Sequence, residues 1–85
     1  MITEVTKEVQ EKAIKDLLSR FEAKRNKKGR LSFNSIWEIY GKLQEENFEA
    51  LQEVHGKDVN MLYDELNDVA ITALWGMMSI KAWEK

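Results

Sequence analysis

Five acidic residues between positions 45 and 68 have the types and spacing for metal chemistry. In the stretch EENFEALQEVHGKDVNMLYDELND, Glu45, Glu46 and Glu49 come first, and Glu65 and Asp68 repeat the three-residue interval after a break at His55-Gly56-Lys57. Helical positions three apart point within roughly 60° of each other, so each acidic pair would act as a two-pronged oxygen donor if it lay on a helix. Hard cations such as Mg²⁺ take oxygen ligands and are commonly held by a few carboxylates together with waters and substrate phosphates. The competing reading is a solvated helix face, because Glu is a good helix former. Glu65 and Asp68 argue against that reading, since they interrupt an otherwise apolar segment and Asp is a poor residue for a helix interior.

Three helices are expected to position these acids. Val5, Val9, Ala13, Ile14, Leu17, Leu18 and Phe21 recur at spacings of three and four, which predicts an amphipathic helix over about 4–26 with Thr3 or Thr6 as its cap. The run KRNKKGR then ends the periodicity at Gly29. Its cations suit a helix C-terminus through the macrodipole, and the functional alternative is that Lys27, Lys28 or Arg30 reaches a phosphate. Ser35 and Glu38 match a capping box, so a second helix is expected over about 36–55. Its buried stripe is Ile36, Ile39, Tyr40, Leu43, Ala50 and Val54, widened by Trp37, Phe48 and Leu51, with Glu46 and Glu49 flanking it. Gly56 is the expected left-handed terminator, and His55 beside it reads as a dipole partner rather than a ligand.

Asp58 can cap a third helix over about 59–82, with Leu62, Leu66, Val69, Ala73, Gly76, Met77 and Ile80 as its central stripe. Ile71, Leu74 and Met78 fall opposite Glu65 and Asp68, making this helix apolar over much of its circumference. Such a helix needs more partners than two neighbours supply, which implies a subunit interface. No strand-like alternation is present. The expectation is a single all-α domain spanning 1–85, a three-helix subunit that assembles into a helical-bundle oligomer.

Composition narrows the function classes. Eighty-five residues lie near the size at which one core becomes marginal, and without cysteine neither a disulfide nor a thiolate zinc site can help. A net charge of −2 with interspersed signs disfavours a nucleic-acid partner. MITEVTKEVQEK lacks the apolar core of a signal peptide, and the apolar run from Val69 to Trp83 is too short to cross a bilayer. The chain therefore reads as cytoplasmic, with no membrane partner.

The order Glu-Glu-x-x-Glu, spacer, Glu-x-x-Asp, within KLQEENFEALQEV and LYDELNDVAITAL, resembles the motif of the MazG-like all-α nucleoside triphosphate pyrophosphohydrolases, the superfamily that also holds the dimeric dUTPases and phosphoribosyl-ATP pyrophosphatase. The resemblance covers about residues 37–74. It implies Mg²⁺ bound by Glu46, Glu49, Glu65 and Asp68, with Glu45, at the first motif position, assisting a metal or water beside Glu46 and Glu49. It also implies hydrolysis of a nucleoside triphosphate to a monophosphate and pyrophosphate, and a homo-oligomer, dimer or tetramer.

Relatives in that family place further basic or amide groups downstream, whereas here only Lys81 and Lys85 follow Asp68 among basic residues. Positive charge for the phosphates would then come from Lys28, Arg30, Lys81 or a second subunit. Trp37, Trp75 and Trp83 read as packing residues, Trp75 being the candidate for stacking on a base because it lies on the side of Asp68. The alternative function is a non-enzymatic helical oligomer or interaction module, including a degenerate relative of the same family.

Overall fold

The computed structural model describes residues 3–84 and forms three α-helices: α1 (Lys7–Lys28), α2 (Ile36–Gly56) and α3 (Val59–Trp83). No strand occurs among the described residues. Among the described residues no helix is long and apolar enough to cross a membrane. The chain divides into two compact units, residues 1–30 and 31–85.

The first unit is built on α1. Thr6 is its N-cap, the hydroxyl accepting from the Val9 amide at 3.2 Å. The helix ends where Gly29 takes φ 94°, a conformation that glycine adopts without steric cost, and the Gly29 amide donates to the Arg25 carbonyl at 2.9 Å. Arg25, Lys27 and Lys28 occupy the last turn, where the helix dipole favours cations. Phe21 is buried beneath the Arg25 guanidinium, 5.7 Å from the ring centre, and Leu17 is half-buried. Val5, Val9, Ile14 and Leu18 are exposed, so the expected buried stripe is realised only toward the C-terminal half of the helix. Periodicity establishes which side chains share a face; it does not establish how much of that face is covered.

The second unit is a helical hairpin of α2 and α3. Ser35 caps α2, accepting from the Glu38 amide at 3.2 Å, and Asp58 caps α3, accepting from the amides of Asn60 and Met61. Between them, Lys57 adopts the left-handed conformation (φ 60°, ψ 30°). The Lys57 amide donates to the Val54 carbonyl at 3.2 Å and the Asp58 amide to the Glu53 carbonyl at 3.4 Å, the two bonds of a Schellman turn. The left-handed position expected at Gly56 thus falls one residue later, because α2 keeps Gly56 as its last helical residue.

On both helices the covered stripe overlaps the one that apolar spacing indicates, with Ile39, Leu43 and Ala50 on α2 and Leu62, Val69, Ala73 and Gly76 on α3 in both, but it is turned toward the acids. On α2 the covered positions are Ile39, Lys42, Leu43, Glu46, Glu49, Ala50 and Glu53, while Ile36, Trp37, Tyr40, Phe48, Leu51 and Val54 are exposed. The buried stripe is therefore centred on Glu46, about 60° round from Leu43. On α3, Leu62, Glu65, Val69, Thr72, Gly76 and Ser79 recur at spacings of three and four and are covered, whereas Leu66, Met77 and Ile80 are exposed. Ile71, expected at an outer interface, is buried.

Small residues of α3, Gly76 and Ser79 among them, lie in the turned seam. Gly76 lets Ile39 approach so closely that a Cβ on Gly76 would stand 2.9 Å from Ile39 Cγ2. The segment before α2 is fastened to the same helix. Trp75 Nε1 donates to the Leu31 carbonyl at 2.9 Å, the Phe33 amide donates to Ser79 Oγ at 2.9 Å, and Trp83 Nε1 donates to the Phe33 carbonyl at 3.0 Å. Ser79, almost wholly buried, also donates its hydroxyl to the Trp75 carbonyl at 2.8 Å, so its Oγ both accepts and donates.

Candidate metal centre

Turning the seam toward the acids brings three of them together. Glu46 and Glu49, one turn apart on α2, and Glu65 on α3 each offer a carboxylate oxygen, and these oxygens lie within 4.8 Å of one another. Glu46 is buried, with 6% of its surface exposed, and Glu49 and Glu65 are half-buried. Burying carboxylates is costly unless their charge and lone pairs are satisfied.

The satisfaction is incomplete. Glu46 Oε1 receives the Lys42 ammonium at 3.2 Å, but Glu46 Oε2 and Glu65 Oε2 are buried without a hydrogen-bond partner. Two orphaned oxygens on facing helices, in an all-carboxylate set, fit a hard divalent cation, which takes oxygen donors and carries the opposite charge. Burial raises the Glu65 carboxyl above its ordinary 4.5, and the negative charges of Asp68, Glu49 and Glu46, with a hydrogen bond to Glu49, push it further the same way. The group thus resists ionisation through its desolvation and its neighbours, both of which a bound cation would counter.

Of the acids that the motif singles out, Glu46, Glu49 and Glu65 converge. Asp68, one turn along α3, is half-buried and close enough for its charge to act on Glu65, but it lies outside the converging set. Glu45 is more exposed and meets Lys42 at 3.5 Å. Lys81 is exposed, pairs with Glu84 at 3.5 Å, and lies roughly 24 Å along α3 from Glu65 at 1.5 Å per residue. Trp75 is ten residues from Glu65, about 15 Å along the axis by the same rise, with its indole N–H committed to Leu31. Lys28 and Arg30 are exposed at the end of the first unit.

Lys42 is the residue that motif reasoning passes over. Its hydrogen bond to Glu46 holds the ammonium above its ordinary range; partial burial opposes this, and the charges of Glu46 and Glu45 reinforce it. The signal is present in the sequence, since Lys42 stands three and four residues before Glu45 and Glu46, the intervals at which helical side chains meet.

Compared with models of known families, with curated proteins and with solved structures, the chain matches none.

Proposed function

We propose that the cluster between α2 and α3 binds Mg²⁺ and serves a nucleoside triphosphate pyrophosphohydrolase, releasing a nucleoside monophosphate and pyrophosphate. The observation that carries the metal part is the pair of buried, unpartnered oxygens of Glu46 and Glu65 within a three-carboxylate set. The reaction rests on the resemblance of the Glu45 to Asp68 motif to the MazG-like enzymes. In this reading Glu46, Glu49 and Glu65 would hold the cation, with Asp68 the further ligand that the resemblance implies. Bound there, Mg²⁺ would offset the charge of the phosphates and make an attacking water more acidic. Glu45, at the solvent edge, is the group available to take a proton from that water.

The test is incubation with a panel of nucleoside triphosphates and Mg²⁺, followed by product identification. Monophosphate with pyrophosphate is the expected outcome, abolished in Glu49→Gln and Asp68→Asn. Diphosphate with phosphate, or no turnover, would overturn the assignment.

A second reading, a non-enzymatic helical oligomer, is favoured by a separate observation. Ile36, Trp37, Tyr40, Phe48, Leu51 and Val54 form an exposed apolar face on α2. An apolar depression of about 440 Å³ on α3 is lined by Leu74, Met77, Met78, Lys81 and Ala82. Extended apolar surfaces mark interaction sites, and a homo-oligomer is compatible with either reading.

A further inference from the structure

We propose that Lys42 is a resident counter-charge that a divalent cation must displace from Glu46, so that the metal affinity of the cluster is set by competition with the chain's own ammonium. The proposal deepens the Mg²⁺ reading above and rests on it.

Three observations carry it. The Lys42 ammonium is 3.2 Å from Glu46 Oε1 and 3.5 Å from Glu45 Oε1, bridging the first two acids of the motif. The Glu46 side chain is only 7% exposed, whereas that of Lys42 is 37% exposed, so the acid is fixed in the seam while its partner has a route to water. The ammonium satisfies only one of the two Glu46 oxygens, and the other is buried without a partner beside two further carboxylates.

A cation coordinated through Glu46 would share a carboxylate with a positive charge already in contact with it. At such separations two like charges repel strongly in a partly desolvated seam. The lysine stem is flexible and its head strongly hydrated, so withdrawal into solvent is the inexpensive way out, and the acid cannot follow. A lysine placed N-terminal to its glutamate is the less favourable order on a helix, because the dipole prefers cations toward the C-terminus. With the metal absent, Lys42 keeps the most buried acid neutralised; with it present, the same ammonium opposes retention.

Binding of Mn²⁺, followed by the electron paramagnetic resonance of the free ion, tests this on the full chain. Lys42→Met, which keeps the apolar stem, should bind Mn²⁺ about tenfold more tightly than wild type, as removal of one unit charge beside the ligands implies. Lys42→Arg should bind like wild type. Equal or weaker binding by Lys42→Met overturns the proposal and leaves the metal site standing; absence of binding by all three proteins overturns both.

A measurement on the unaltered chain guards against a variant that does not fold. The ε-methylene resonance of Lys42 should shift toward that of a solvent-exposed lysine as Mg²⁺ is titrated, with half-change at the metal concentration that half-saturates the cluster. A resonance that stays in place while metal binds overturns the displacement.

Discussion

Gly76 and Ile39 fix the distance between α2 and α3: a methyl group on Gly76 would lie 2.9 Å from Ile39 Cγ2, well inside van der Waals contact. The γ-methyl sits on a β-branched side chain with one strongly preferred χ1 in a helix, so it cannot swing aside as the tip of a long side chain would. Gly76→Ala should therefore destabilise the protein by about 1–3 kcal/mol, although alanine is intrinsically better in a helix by about 1 kcal/mol. Urea unfolding measures it. A stabilised Gly76→Ala would show that the helices have room to part.

Glu65 predicts a pH dependence with a definite sign. Its folded carboxyl is raised above the ordinary 4.5, so the unfolded chain gives up this proton first as pH rises. Below that value the carboxyl is protonated in both states and costs nothing; through the window between 4.5 and the raised folded value stability is lost, and above it the loss is complete. The melting temperature of the metal-free protein should show this contribution as a decline with rising pH, one that Glu65→Gln removes and Mg²⁺ reduces by adding stability in proportion to its binding. Superimposable pH profiles for wild type and Glu65→Gln would count against the arrangement.

Lys57 occupies a left-handed position that glycine fills at no steric cost. For an ordinary side chain that conformation costs roughly 1–2 kcal/mol. Lys57→Gly should recover part of it, offset by the greater freedom of glycine in the unfolded chain, for a net gain of a few tenths of a kcal/mol to about 1 kcal/mol. The companion Gly56→Ala, at a helical position, should be stabilising as well. Thermal unfolding of both variants distinguishes this turn from one in which Gly56 itself is left-handed, where Gly56→Ala would destabilise.

Self-association through the outer faces predicts a dimer or tetramer by sedimentation at micromolar concentration. Met77→Glu is the informative variant, since Met77 is exposed and a charge there should dissociate the assembly without touching the seam. Leu74→Glu should act in the same direction, though Leu74 is half-buried and part of its effect will fall on folding. A monodisperse wild-type monomer would leave these faces for another partner or for none.

The helices themselves were legible because their punctuation is local. Thr6, Ser35 and Asp58 cap by hydrogen bonds to amides two or three residues on, and each marks its helix start in the sequence. Spacing put Glu46 and Glu49 on one side of α2 and Glu65 and Asp68 on one side of α3, but it did not show which of them meet across the two helices. The seam was legible only in part: Leu43 and Leu62, the centres that apolar periodicity indicates, are covered, but the covered stripes extend toward the acids through Glu46, Glu65, Thr72 and Ser79, while Tyr40, Leu66, Met77 and Ile80 are exposed. The Trp75 and Trp83 indole bonds join residues far apart in sequence, and no local pattern announces them.

The short turn at Lys57 and Asp58 has a consequence for the order of events in folding. Glu49 and Glu65 are close neighbours along the chain, on either side of that turn, so little chain entropy is spent in bringing them together. The carboxylates should meet as the hairpin zips, and their mutual repulsion should be felt on the way up the barrier rather than after it. On the proposed metal reading, a divalent cation would then quicken refolding as well as slow unfolding.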